Sequence, residues 1–172
     1  MLDVFKNTTM NQFEAAFCTL NACIEQCPAS AWNAPVVNLQ FCQVVFHTLF
    51  FADYYLGENE ETFRQQPFHI ARKEIFRDYE ELEDRQQTLT YDKPATQTYL
   101  ADCRGKAAEV IAAETADSLS TECGFARREF SRAELHIVNI RHIHHHAAQL
   151  SLRLRIDLNE AIPWFGSGWR DL

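Results

Sequence analysis

Glycine and proline are scarce, five of each in 172 residues. So few turn-formers argue against a chain of many short strands and for long helices. No apolar run approaches the roughly 18 residues that suggest a membrane span. The opening segment MLDVFKNTTMNQFE lacks the basic-then-apolar order of a secretory signal, so a cytoplasmic location is the expectation. Positive charge is also short. Sixteen Lys and Arg face twenty-four Asp and Glu, for a net charge of -8, which disfavours a general nucleic-acid or anionic-membrane binder. The six cysteines include no CxxC pair. Cys23 and Cys27 share a helical face, yet scattered buried thiols in a reducing compartment are the simpler reading.

What the chain does have is core. Apolar residues make up 47%, with 13 Phe, 5 Tyr and 3 Trp. The length suits one domain over 1–172. A first helix is expected from Asn11 to Gln26, where Asn11 and Glu14 have capping-box spacing and Phe13, Phe17, Leu20 and Ile24 recur at helical intervals. PASAWNAPV reads as a loop. A second helix, Asn38 to Leu56, is apolar nearly all round and should be buried on more than one side. Gly57 is its expected stop. The stretch His69–Gln87 reads as a short helix or pair of turns over one end of the core, and Glu80, Glu81, Glu83 and Asp84 as a solvated face. A third helix starts near Asp92 or Pro94 and ends near Leu119, with Tyr99, Cys103, Ala107, Val110 and Ile111 as its packing stripe. A fourth runs from Ser131, capped with Glu134 three residues on, to Arg155. The tail is expected to be irregular and anchored by Trp164 and Trp169. Four long helices predict an all-α four-helix bundle with a long connection between helices two and three.

The fourth helix contains RHIHHHAAQL, four of the chain's seven histidines. The run is internal and interrupted, so it is not a tag. On a helical wheel His142 and His146 share one face with Leu135, Val138, Gln149 and Ile156, a stripe expected to meet the core. His144 points away, His145 lies beside the stripe and His136 is off it. Two imidazoles one turn apart can reach one metal ion. The third ligand is sought on the apolar second helix, where His47 is the strongest candidate and Asp53 and Glu58 the competitors. Alternatives stay open at this point: HxxxH is common, a dense histidine run can be merely solvated, and a buried histidine is usually a satisfied core residue. Phe50, Phe51 and Tyr54 around His47 line a pocket or simply fill core.

HIVNIRHIHHHAAQLSLRLR resembles the last-helix signature of the DinB/YfiT-like superfamily. There a histidine, three residues and a second histidine precede a short Arg-Gly-Gln run. His142 and His146 match the pair, Gln149 matches the glutamine, and Ala147-Ala148 replace Arg-Gly. His145 matches a frequent extra histidine. HTLFFADYYLG matches the family's first ligand through His47. The resemblance implies a four-helix bundle of the DinB-like type and a metal site of His47, His142 and His146, with zinc or nickel as the best-suited ions.

Three protein ligands leave an open position, the pattern of a catalytic site. An ion there would act as a Lewis acid and lower the pKa of a water or thiol. The family includes thiol-dependent transferases, a maleylpyruvate isomerase and metal-dependent hydrolases. The implied function is therefore a divalent-metal-dependent hydrolase or low-molecular-weight-thiol-dependent transferase acting on a small molecule. The alternative is a non-catalytic metal-binding or protein-interaction bundle. His145 is a candidate proton carrier, since imidazole exchanges protons near neutral pH, and Gln149 a candidate for orienting a ligand. Arg153 and Arg155 complement the helix dipole or attract an anionic substrate. Finally, Ile137, Ile140, Ala147 and Leu154, with His144 and Ser151, form a second apolar face, and Val45, Leu49 and Ala52 do so on helix two. If exposed, they call for a homodimer.

Overall fold

The computed structural model describes residues 1–82, 86–125 and 129–171. It is all-α in character, 67% helix and 4% strand. Four long helices carry the core: α1 (Leu2–Gln26), α2 (Phe41–Leu56), α5 (Lys93–Ala113) and α7 (Arg132–Leu158). Both α1 and α2 pack against α5 and α7. No helix among the described residues is long and apolar enough to cross a membrane.

Helix α1 starts nine residues before the expected Asn11, because LDVFKNTTM continues the helix from an N-cap at Met1 that has no side-chain cap bond. Its Phe13, Phe17, Leu20 and Ile24 are fully buried, as the periodicity predicts. A loop follows, and then two strands that the sequence reading missed. β1 (Pro35–Val36) and β2 (Leu39–Gln40) pair antiparallel, with Val36 opposite Leu39. This hairpin delays α2 from Asn38 to Phe41. Gln40 becomes its N-cap, and the Gln40 N–H donates to Gln43 Oε1 at 2.9 Å. α2 is buried on nearly every side; only His47 and Phe51 are partly open.

The connection from α2 to α5 holds α3 (Glu60–Phe63), α4 (Pro67–Ala71) and a 3-10 helix (Lys73–Tyr79). It lies along the flank of α2 rather than over an end of the core. Its rings explain why: Phe63 and Tyr79 sit 5.3 and 4.2 Å from Phe50, and Phe76 sits 5.7 Å from Phe46. Glu80 and Glu81 are exposed as expected. Glu83 and Asp84 of the same acidic run lie outside the described residues.

Helix α5 starts where expected, capped by Asp92, which accepts from the Ala95 N–H at 2.7 Å. It ends at Ala113 rather than Leu119. Glu114 leaves helical geometry with ψ 144°, and Thr115 caps a separate short α6 (Ala116–Ser120). α7 is capped by Ser131 as predicted and ends at Leu158, three residues beyond Arg155, with a left-handed Asn159 as its C-cap. The tail is anchored by Phe165, buried against Ala15, Cys18 and Ala22, and by Trp169. Trp164 does not pack back; it is among the exposed large apolar residues. The Gly168 N–H donates to Asn11 O at 2.9 Å, tying the tail along α1.

The rotation of α7 differs from the wheel reading. Its buried residues are Leu135, His136, Asn139, Ile140, Ile143, Ala147, Leu150 and Leu154. His142 and His146 lie at the edge of that face, half-buried, while Gln149 and Ile156 are exposed. The cause is that α7 packs against α1 as well as α2, so the middle of its buried arc faces both. Ile140, Ala147, Leu154, Val45, Leu49 and Ala52 are therefore covered within one chain, whereas Ile137 is 46% exposed. Most of the surface that motivated a homodimer is thus covered internally, and Ile137 is the large apolar residue of it that stays open.

Candidate metal centre

His47 comes from the middle of α2, and His142 and His146 from successive turns of α7. The two helices are direct neighbours, so the three imidazoles converge. Each offers one ring nitrogen, and the three nitrogens lie within 4.8 Å of one another. Ring centroids are 5.5 Å apart for His47–His142, 4.8 Å for His47–His146 and 4.7 Å for His142–His146. Nitrogens bound to one ion at about 2.0–2.1 Å are at most about 4.2 Å apart, so small side-chain adjustments suffice. All three rings are half-buried. The residues fit a divalent ion that prefers nitrogen donors.

Gln149, one turn on, bonds two of the neighbouring histidines. Its Oε1 accepts from His146 Nδ1 at 2.9 Å, and its amide NH2 donates to His145 Nε2 at 3.1 Å. An acceptor on Nδ1 leaves Nε2 of His146 with its lone pair for an ion. Burial lowers the His146 pKa; the Gln149 bond opposes this and the neighbouring His145 adds to it. The neutral ring is the ligating form. His145 itself is exposed and outside the triad, and His144 is half-buried on another side of the helix. Phe51, 4.9 Å from His47 and 5.7 Å from His142, walls one side with Tyr55 and Tyr79. On another side His146 and Gln149 border a cleft of about 450 Å³ between the hairpin and the last turns of α7.

The competing ligand candidates are elsewhere. Asp53 is fully buried. Its Oδ2 accepts from Tyr99 Oη at 2.8 Å and bonds His69 Nε2 at 2.6 Å, while its Oδ1 pairs with Lys106. Burial alone would raise the Asp53 pKa, but the His69 bond and the Lys106 ammonium outweigh it and hold the carboxyl below its usual value. Glu58 is exposed. His136 is also fully buried, with Nε2 2.9 Å from Glu114 Oε1. Arg132 Nε donates to the same oxygen at 2.9 Å, and Ser118 Oγ donates to Oε2 at 2.5 Å. These bonds overcome the burial penalty and pull Glu114 down to about 2. Neither buried network was found from sequence. Asp53 did carry a signal, as the one carboxylate inside FCQVVFHTLFFADYYL; Glu114 and His136, far apart in the chain, carried none.

All six cysteines are free and buried. Burial pushes Cys23 up to about 12 and Cys27 to about 11, so neither supplies a thiolate at neutral pH.

Residues 12–150 match the family model described as the DinB superfamily. The chain belongs to the DinB superfamily. The matched region contains α2 and the ligand-bearing half of α7, hence the whole triad. No curated protein and no solved structure matches the chain. The DinB assignment and the triad together fit a metal-binding protein.

Proposed function

We propose that this DinB-superfamily chain is a metal-dependent enzyme, built as a four-helix bundle of α1, α2, α5 and α7. His47, His142 and His146 hold a divalent ion, with zinc or nickel best suited to three neutral imidazoles. The observation that carries the reading is the convergence of the three rings, one of which, His146, borders an open cleft. A closed structural site would fill the fourth position with protein; three protein ligands beside a cleft that a small molecule can enter support the catalytic reading instead.

When bound, the ion supplies Lewis acidity and lowers the pKa of a water or thiol. The chain's own residues do the rest. Gln149 fixes the ring orientation of His146 and ties it to His145. His145, exposed beside the cleft, moves a proton between the site and solvent. Phe51, Tyr55 and Tyr79 keep water from the rear of the triad. The reaction class is hydrolysis or transfer of a low-molecular-weight thiol to an electrophile.

The test is turnover by zinc- or nickel-loaded and metal-free protein against ester, amide and thiol-plus-electrophile panels. Turnover that needs the metal and is lost in folded His146→Ala supports the proposal. Equal turnover in rigorously metal-free protein contradicts it.

A further inference from the structure

The cleft beside His146 is lined on one side by the hairpin and on the other by exposed side chains of α7. Its aliphatic lining comes from Val36, Val37, Leu39, Val44, Leu152 and Ile156. Val44 is buried and forms part of the floor, while Val37, Leu152 and Ile156 are 94%, 57% and 67% exposed. Large apolar side chains clustered in the open call for an occupant. Among the described residues no carboxylate lines the cleft, and the one cation there, Arg153, is paired through Nε with Asp157 at 2.6 Å. The polar residues of the lining are Asn38, His146, Gln149 and Arg153, so six of its ten residues are aliphatic.

Val37 is the first residue of the two-residue turn between β1 and β2. It occupies the left-handed region with φ 59°, a conformation strained for a β-branched residue and usual for Gly or Asn. The hairpin turn calls for that conformation, and the turn sets an aliphatic side chain at the cleft. The size is also informative. A cavity of about 150 Å³ holds one benzene, so about 450 Å³ suits a medium-length alkyl chain or a fused-ring aryl group.

We propose that this cleft binds an apolar arm of the substrate, making the substrate an amphiphile whose alkyl or aryl arm lies between the hairpin and α7 while its reacting group meets the triad. This rests on the reading of the triad as the reacting centre. In a thiol transfer the arm belongs to the electrophile, because the hydroxyls and amides of a polar thiol would lose water against aliphatic walls without gaining partners.

The experiment uses butano-, hexano- and octanohydroxamate as probes, titrated into zinc-loaded protein by calorimetry and into metal-free protein by NMR. Full burial tightens binding by about fourfold per methylene, and roughly twofold or more per methylene is expected here. Leu152→Ser and Ile156→Ser, both at exposed positions, should flatten this dependence without changing zinc content. Ile137→Ser, exposed on α7 but outside the cleft lining, should leave it intact. A length dependence kept in metal-free protein that fails to take up zinc would overturn the triad reading and leave the cleft assignment standing. Normal zinc uptake with equal affinity across the series would overturn the cleft assignment alone. A wild-type dimer that Ile156→Ser dissociates, with no length dependence, would assign the surface to a second copy and overturn it too.

Discussion

Gln149 Oε1 accepts the Nδ1 hydrogen of His146 at 2.9 Å. That bond selects the tautomer whose Nε2 can ligate, and it restrains the ring. Outer partners of this kind are typically worth about 10–100-fold in metal affinity. Gln149→Leu should weaken zinc binding by that order in a chelator competition, and helix content should hold because Gln149 is exposed. Unchanged affinity would mean the bond has no part in ion binding.

His142 lies at the rim of the buried face of α7 rather than inside it. His142→Ala should therefore remove the metal while leaving the helical circular dichroism largely intact. Zinc at about a hundred times its dissociation constant should stabilise the wild type by about 2.7 kcal/mol. The same zinc should add almost nothing to the variant. Thermal melts with and without zinc read both numbers.

Asp53 binds His69, Tyr99 and Lys106 with no access to solvent. Asp53→Ala strands two buried hydrogen-bond donors and the partly buried Lys106 ammonium, and should cost about 3 kcal/mol. Urea unfolding of metal-free protein measures this. Zinc affinity of the folded fraction should be unchanged, since none of these groups belongs to the triad. A cost near zero would show that the cluster is not a stabilising unit.

Glu114 has its folded pKa depressed from 4.5 to about 2. A depressed carboxylate stabilises the fold above its unfolded pKa and loses that contribution as pH falls through the folded value. The contribution is at most about 3 kcal/mol. Unfolding free energy should thus fall between about pH 4.5 and 2, and Glu114→Gln should flatten that fall. An equally steep slope in the variant would contradict this role for Glu114.

The sequence was most legible where signals were local and periodic. The Ser131 cap, the all-round apolar α2 and the Phe13–Ile24 stripe follow from spacing alone, and each is seen. The His142–His146 pair was legible for the same reason, since four residues on a helix fix a shared face. His47 needed the resemblance to become more than a candidate, because the facing of α2 on α7 is a tertiary fact. The rotation of α7 was misread because a wheel averages apolar residues over one partner, and α7 has two. The hairpin was missed because Pro35–Gln40 is too short to alternate. The break at Glu114 was missed because bonds from His136 and Arg132, distant in sequence, stabilise it.

The triad of His47, His142 and His146 is the centre of the proposed function. X-ray absorption of zinc-loaded protein, with metal stoichiometry on the same sample, tests it directly. The expected result is one ion per chain with three imidazole nitrogens at about 2.0–2.1 Å, and loss of that ion in the His47→Ala, His142→Ala and His146→Ala variants. An ion retained by all three variants, or a shell without histidine, would contradict it.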